Sequence, residues 1–237
     1  MLTFVTFTTG NYTDMTKNLL VNFEQVLVQY GHRIILICMD SKAAENLAVY
    51  KEKPWVIFES RDLNQQRDIG NFNSPSFNTL NNFKPILLRE LIGMYDSLYW
   101  IDSDIVFYAD PEPYVKGDII FQQDGEDDAY RLCTGNFYMK KTDATLRFLD
   151  MWIERLCERN EQFLLNEIVH MQYGSIWNIP WISLDVFSPE KFQRGHDAFK
   201  LKWWRRDDKV CIHVNYVEGF ENKKEGLKMI GAWYIDA

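Results

Sequence analysis

The first 60 residues alternate short apolar runs with amphipathic stretches. Runs rich in β-branched and aromatic residues predict three buried strands, at residues 2–7, 33–39 and 55–58. Between the first two, apolar side chains at three- and four-residue spacing predict a helix that Asp14 caps and Gly31 ends. Ser41 is the predicted cap of a second helix, which runs through residue 50. Apolar strands alternating with helices are typical of an α/β fold with a mostly parallel sheet and helices on both faces.

Hydrophobic patterning disappears after the third strand and then returns. Residues 59–82 are rich in Asn, Gln, Ser and Asp, which predicts a loop beside a functional site. A helix is predicted to start near Lys84, and a strand at residues 97–101 runs directly into the sequence Asp-Ser-Asp at 102–104. Further strands are predicted at residues 105–108, 119–121, 136–139 and 210–214, and further helices at residues 142–159 and 222–231.

Composition and charge exclude several classes of partner. The 237 residues carry a formal net charge of −8, and no basic run is longer than Arg205-Arg206. This distribution lacks the electrostatic footprint of a protein that binds nucleic acid or an anionic membrane. No apolar stretch approaches the length of a bilayer span, and the first residues lack the basic region of a signal peptide. We therefore expect a soluble, cytoplasmic chain without a membrane span; no oligomeric state is predicted.

Four cysteines lie far apart and form no Cys-x-x-Cys pair, at positions Cys38, Cys133, Cys157 and Cys211. Neither a zinc knuckle nor a thioredoxin-like site is indicated. Because Cys38 and Cys211 lie in apolar, strand-like runs, we expect buried, reduced thiols, with a disulfide as the less favoured alternative.

Two carboxylates, those of Asp102 and Asp104, lie between apolar runs. Burying an unpaired charge there would be unfavourable, but a strand end that opens on a crevice avoids this, since ligands of open α/β sheets bind beyond the carboxyl ends of strands. Two such oxygen donors suit Mn²⁺ or Mg²⁺ bound to phosphate. The alternative is a turn in which the Asp side chains accept hydrogen bonds from backbone amides.

Three sequence blocks together carry a family resemblance. They are YWIDSDIVF at residues 99–107, CTGNFYMK at 133–140 and HVNYVEGFENK at 213–223. In this order, after the Lys84 helix, they resemble the nucleotide-diphospho-sugar transferase family of GT-A-fold glycosyltransferases. The resemblance spans nearly the whole chain. It implies a Rossmann-like, mostly parallel sheet in a single domain, with the nucleotide-binding part at about residues 1–108 and the acceptor-side part at about 109–237.

The same resemblance implies roles for individual residues. Mn²⁺ or Mg²⁺ would be held by Asp102, Asp104 and His213, with Gly219 and Lys223 at the diphosphate. The base and ribose of the nucleotide would be framed by Thr8, Thr9, Tyr12 and Asp40. The donor sugar would lie near Lys84, Ser103, Gly135, Asn136 and Gln162. Glu161 stands where an Asp is more familiar, and no catalytic role is assigned to it.

Other residues are interpreted from their own context. Asp124 follows a predicted strand, so we expect it to face acceptor or donor hydroxyls; the alternative is a solvated turn. The residues assigned to catalysis are Asp102, Asp104, Asp124 and Gln162. The sequence Trp203-Trp204-Arg205-Arg206 is either a platform for stacking sugars or part of the core or an interface. The remaining histidines, which have no ligand-like spacing, are expected in ordinary surface or capping roles: His32, His170 and His196.

The resulting hypothesis is metal-dependent transfer of a sugar from a nucleotide-diphospho-sugar, a UDP-sugar, to a glycan or other hydroxyl acceptor. The resemblance also implies retention, because the resembled enzymes mostly retain the anomeric configuration; we expect front-face displacement, in which the leaving phosphate helps to deprotonate the acceptor. One alternative is a nucleotidyltransferase that forms sugar nucleotides, although the Thr8-Thr9-Gly10-Asn11 loop lacks nearby arginine for a triphosphate. Another is a non-catalytic carbohydrate-binding module, suggested by the 15% aromatic content.

Overall fold

The computed structural model describes residues 1–61, 74–125, 131–174 and 179–235. Its strands are β1 (Thr3–Thr8), β2 (Arg33–Cys38), β3 (Val56–Ser60), β4 (Ser97–Ile101), β5 (Ile105–Phe107), β6 (Ile119–Gln123), β7 (Leu132–Lys140), β8 (Leu184–Val186), β9 (Phe192–Arg194) and β10 (Cys211–His213). Its α-helices are α1 (Thr13–Val26), α2 (Ser41–Asn46), α3 (Pro75–Asn81), α4 (Phe83–Leu91), α5 (Asp143–Glu154), α6 (Glu161–Tyr173), α7 (Gly195–Lys200) and α8 (Phe220–Met229).

Seven strands form one sheet in the order β3-β2-β1-β4-β7-β6-β8, and a second sheet has the order β5-β10-β9. Within the large sheet β1 pairs with β2, β2 with β3, and β6 with β8, all in parallel. The pairing of β6 with β7 is antiparallel. The α/β fold class with a mostly parallel central sheet is therefore confirmed.

The chain divides into two compact units. The first comprises Met1–Arg67, Trp100–Pro113 and Pro189–Ala237, and the second comprises Asp68–Tyr99 and Tyr114–Ser188. The division into a single domain with a nucleotide-binding part and an acceptor-side part near residue 108 stays a prediction.

Aromatic packing fixes α1 and β5 on the parallel strands of the first unit. The buried Phe4 ring of β1 makes edge contacts with Phe23 of α1 at 5.1 Å and with Phe107 of β5 at 5.7 Å, between ring centroids. Phe23 also stacks on Trp55 at 5.5 Å. Because such rings bury large apolar areas, they hold β5, and with it the turn that precedes β5, against the sheet.

A comparable cluster in the second unit positions the start of α6. Phe121 of β6 stacks on Phe137 of β7 at 5.0 Å, and Phe137 lies 6.4 Å from Trp152 of α5. The buried Trp152 indole then donates a hydrogen bond to the carbonyl oxygen of Glu161, 3.0 Å away. The first residue of α6 is thus tied to the aromatic core.

Two predicted helix caps are wrong. The N-cap of α2 is Asp40, whose Oδ1 accepts a 2.7 Å hydrogen bond from the Ala43 amide, and Ser41 is the first helical residue. A carboxylate accepts this bond well and lies favourably at the positive end of the helix. Helix α1 begins two residues earlier than expected, with Tyr12 in place of Asp14 at its N-cap, so Asp14 lies in the first turn.

The polar segment at residues 59–82 contains the end of β3 and the whole of α3. Strand β3 continues to Ser60, and α3 begins after Ser74, whose hydroxyl accepts from the Phe77 amide at 3.3 Å. The loop prediction is therefore wrong for residues 75–81, while residues 62–73 lie outside the described part of the chain. Helix α3 lacks an apolar stripe, but Asn78 donates a hydrogen bond to the carbonyl oxygen of Glu158. Such long-range polar contacts are invisible in a hydrophobic pattern.

All four cysteines are free, and only Cys157 is exposed. The expected buried, reduced state of Cys38 and Cys211 is confirmed. Within the described ranges no helix has both the length and the apolar character needed to cross a membrane. The cytoplasmic location stays a prediction.

Thiol reactivity should follow burial. Burial, reinforced by the Asp40 carboxylate, raises the pKa of Cys38 to about 12, so its reactive thiolate is scarce at pH 8. We expect iodoacetamide at pH 8 to label Cys157 rapidly and to leave the three buried thiols unmodified until urea unfolds the protein, as peptide mass spectrometry can show. Labelling of native Cys38 as fast as Cys157 would contradict this picture.

Candidate active site

The Asp-Ser-Asp segment forms the turn between β4 and β5. Trp100, the penultimate residue of β4, donates its indole N–H to Oδ1 of Asp102 at 2.9 Å, which orients this half-buried carboxylate. Asp104 immediately precedes β5, and it is only 4% exposed. Its carboxylate therefore depends on neighbouring protein groups for compensation.

Strand β10 supplies the first of these groups. It runs antiparallel to β5 with His213 opposite Ile105, and the Val214 amide donates to the Asp104 carbonyl at 3.0 Å. This register places Nε2 of the buried His213 3.3 Å from Oδ1 of Asp104. Asp102, Asp104 and His213 each offer one ligand atom, and these atoms lie within 4.8 Å of one another. The structure thus brings together the three residues expected to bind metal.

Lys223, on the first turns of α8, supplies the second group. Its ammonium donates a 2.6 Å hydrogen bond to Oδ2 of Asp104. Burial by itself raises the pKa of the Asp104 carboxyl, but the charge of Lys223 and the adjacent His213 outweigh it, so this pKa lies well below its usual range. Asp104 is therefore a carboxylate at neutral pH and can act as an anionic ligand.

The chain between β10 and α8 is held against α7. Oδ1 of Asn215 accepts a 2.9 Å hydrogen bond from the amide of Gly195, the first residue of α7. A Cβ atom at position 195 would clash with the backbone carbonyl oxygen of Asn215. Tyr216 follows in the left-handed region, with φ 61°, and Gly219 is the N-cap of α8 with φ 83°. The conformation of residues 215–219 therefore sets the position at which α8 begins, and with it the position of Lys223.

The donor set fits a divalent cation. Two carboxylates and an imidazole are nitrogen and oxygen ligands of the kind that Mn²⁺ accepts. The acidic groups of this unit could therefore hold a metal ion.

A second histidine cluster has a different chemistry. Nε2 of the buried His32 lies 2.9 Å from Oδ1 of Asp110 and 4.0 Å from Oε2 of Glu112. The Leu2 amide donates to Nδ1 of His32 at 3.0 Å, so we place the imidazole proton on Nε2, where it is donated to Asp110. A nitrogen that carries a proton is not a metal ligand, and this cluster is a hydrogen-bonded tie between β2 and the segment after β5.

The residues predicted to frame the nucleotide lie at the carboxyl ends of β1 and β2. Thr8, opposite Cys38, accepts a 2.8 Å hydrogen bond from the Thr16 hydroxyl. The Gly10 amide donates hydrogen bonds to both carboxylate oxygens of Asp40, at 2.9 and 3.1 Å. The same carboxylate caps α2. The Asp40 side chain therefore shapes the loop after β1. The nucleotide contacts of Thr8, Thr9, Tyr12 and Asp40 stay predictions.

In the second unit, a buried ion pair lies beneath the Thr-Gly-Asn block. Lys84 is 1% exposed and Glu161 is 2% exposed, with Nζ of Lys84 3.1 Å from Oε1 of Glu161. Lys84 also donates to the carbonyl oxygen of Thr134 at 2.9 Å, and the Thr134 hydroxyl donates to Oε1 of Glu161 at 2.7 Å. Glu161 and Thr134, which the sequence analysis did not select, are integral to this cluster.

Gln162 is oriented by the same cluster. Its Oε1 accepts the Thr134 amide at 2.9 Å, and its Nε2 donates to Oδ2 of Asp124, also at 2.9 Å. These bonds fix which way the carboxamide points and bring together Asp124 and Gln162, two of the four residues assigned to catalysis. The neighbouring Gly135 and the fully buried Asn136 lie in β7. Ser103 lies in the turn between Asp102 and Asp104 of the first unit.

The tryptophan–arginine segment is partly structural. Trp204 packs against the core cluster that contains Val106 and Ile212, and the Arg205 guanidinium lies 5.0 Å from the Trp204 ring centroid. Core packing is therefore observed for Trp204. A sugar-stacking role for the segment stays a prediction.

The buried ion pair generates a stability prediction. Lys84→Met would leave Glu161 buried without its cation, which costs about 3–5 kcal/mol of unfolding free energy. The double variant K84M/E161Q, which removes both charges, should recover part of this loss in urea unfolding. Lys116→Met, which breaks the exposed pair with Asp185, serves as the control and should change stability far less. Equal stabilities of K84M and K116M would show that the buried pair is not important.

The sequence of the chain is similar to those of curated glycosyltransferases. The chain is 25% identical to a UDP-galactose:fucoside alpha-3-galactosyltransferase of Dictyostelium discoideum, over 95% of this chain and 42% of that protein. It is 23% identical to the UDP-D-xylose:L-fucose alpha-1,3-D-xylosyltransferase MGP4 of Arabidopsis thaliana, over 70% of this chain and 52% of that protein. The chain thus spans about half the length of these curated relatives.

Solved structures share the fold. The crystal structure of the galactosyltransferase LgtC with donor and acceptor sugar analogs superposes with a TM-score of 0.60 at 11% identity, covering 98% of this chain and 96% of LgtC. A glycosyltransferase involved in glycosylation of the major capsid of PBCV-1 gives a TM-score of 0.59 at 10% identity, covering 96% of this chain and 98% of that one.

The sequence also matches a protein-family model. The model, described as nucleotide-diphospho-sugar transferase, matches residues 31–227, which include both clusters of polar side chains. The chain therefore belongs to the nucleotide-diphospho-sugar transferase family, as its three sequence blocks predict.

Proposed function

We propose that this protein is a metal-dependent glycosyltransferase that moves a sugar from a UDP-sugar to a hydroxyl of a glycan or another acceptor. The observation that carries the proposal is the convergence of Asp102, Asp104, His213 and Lys223 at the end of β4 in a member of this family. The two curated relatives carry UDP-sugar donors in their names.

Asp102, Asp104 and His213 would hold Mn²⁺ or Mg²⁺. Such a cation supplies positive charge that stabilises a departing diphosphate. The chain itself adds the Lys223 ammonium, which is 22% exposed and can reach a phosphate oxygen on its flexible stem. An acidic protein can therefore bind an anionic donor through a local concentration of positive charge.

The second unit offers groups suited to a sugar. We assign Asp124 and Gln162 to the transfer step, where a carboxylate and an oriented carboxamide can stabilise charge on an oxocarbenium-like sugar. Oε2 of Glu161 is buried and has no hydrogen-bond partner among the described residues. Because a buried carboxylate oxygen favours a donor, Glu161 is suited to accept a hydrogen bond from a sugar hydroxyl.

The relatives narrow the substrates to test. Their names differ in the donor sugar but share fucose as the acceptor and an alpha linkage. We propose a fucoside as the acceptor, with UDP-galactose and UDP-xylose as the first donors. An alpha product from an alpha-linked donor means retention, as front-face displacement requires.

The metal site is tested through Asp104. Sugar transfer should stop with EDTA and return with Mn²⁺, and Asp104→Ala should lower kcat/KM by about 100-fold or more, because the anionic ligand is lost. Asp208→Ala, which removes an exposed carboxylate paired with Arg206, should retain activity. Full transfer by D104A or in EDTA would reject the site, and pyrophosphate release from UTP and a sugar phosphate would identify a nucleotidyltransferase instead.

The transfer step is tested through Gln162. Gln162→Ala should lower kcat by about 100-fold with a smaller change in the KM for the UDP-sugar, since the carboxamide acts on the transition state. Gln29→Ala, which changes an exposed glutamine of the first unit, should have wild-type kinetics. A purely KM effect in Q162A would assign this residue to donor binding alone.

A further inference from the structure

The two carboxylate oxygens of Asp104 contact different side chains. Oδ1 faces Nε2 of His213 at 3.3 Å, and Oδ2 accepts the Lys223 ammonium at 2.6 Å. Asp104 and His213 are 4% and 3% exposed, so little solvent is available to compensate the carboxylate. The electrostatic partners of Lys223 also include Asp102 and Tyr12. Lys223 thus interacts electrostatically with both carboxylates that the proposed function assigns to a cation.

We propose that Lys223 competes with the divalent cation for Asp104, and that a nucleoside diphosphate relieves this competition by drawing the ammonium away. The inference rests on the metal site of the proposed function and adds a linkage between the cation and the nucleotide. Lys223 would thus bind Asp104 before the nucleotide arrives and the diphosphate afterwards.

Charge repulsion is the physical basis of the competition. An ammonium hydrogen-bonded to Asp104 would lie within a few ångströms of any cation on that carboxylate, where like charges repel strongly even with partial screening. Lys223 can leave because its head group is a point charge on a flexible stem and is already partly exposed. A diphosphate offers this ammonium new acceptors. Each ligand should therefore strengthen the binding of the other by the same factor.

The experiment is a Mn²⁺ titration followed by electron paramagnetic resonance, with and without UDP. Without UDP, Lys223→Met should bind Mn²⁺ about tenfold more tightly than the wild type, because a nearby positive charge is removed. UDP should strengthen Mn²⁺ binding by a larger factor in the wild type than in K223M. Lys223→Arg retains the charge and should bind Mn²⁺ alone no more tightly than the wild type.

The matched control is Lys228→Met on the same helix. Lys228 is exposed and paired with Glu225, so its loss changes the net charge equally without touching Asp104. K228M should bind Mn²⁺ like the wild type. Lys223→Gln is measured in parallel, and circular dichroism checks that each variant is folded.

Two results would overturn the inference in different ways. Mn²⁺ binding by K223M and K223Q that equals or is weaker than that of the wild type would reject competition while leaving the metal site intact. Absence of Mn²⁺ binding by every protein, with or without UDP, would reject the metal site of the proposed function and the competition together.

Discussion

The antiparallel pairing of β10 with β5 is the constraint on which the first cluster depends. Three residue pairs define its register, and the Val214 amide continues it by binding the Asp104 carbonyl. A shift by one residue would turn His213 to the opposite face, because side chains alternate along a strand. The pairing of these two short strands therefore places His213 beside Asp104, although more than 100 positions separate the two residues in the sequence.

The second cluster is organised by burial more than by strand register. The backbone of Glu161 is held by Trp152, while its side chain joins Lys84 and Thr134. Such a pair is strongly oriented, because each charge depends on the other when water is excluded. Gln162, the next residue, takes its orientation from the same Thr134. The ion pair and the orientation of the Gln162 carboxamide thus depend on one threonine.

The pattern of apolar and polar residues predicts those parts of the fold in which a continuous apolar run has clear ends. The strand at residues 97–101 and its exit into Asp102 and Asp104 are observed as expected, since a continuous apolar run ends abruptly at charge. The proximity of His213 followed only from family resemblance. Glu161 received no role because an Asp is more familiar at its position, and its burial beside Lys84 is visible only in the structure. Helix α3 was missed since its stabilising contacts are long-range and polar.

The absence of a side chain at Gly195 has a consequence for engineering. The backbone carbonyl of Asn215 occupies the space that a Cβ atom at residue 195 would need. The loop that leads to α8 therefore packs directly against the backbone of Gly195. A side chain at residue 195 would displace the Asn215 carbonyl, and the φ of 61° at Tyr216 favours Gly, Asn or Asp over most other replacements, so random variation at either position would mainly yield displaced loops. Engineering of this loop is therefore restricted at two places that lie 21 positions apart in the chain, one by packing and the other by backbone conformation.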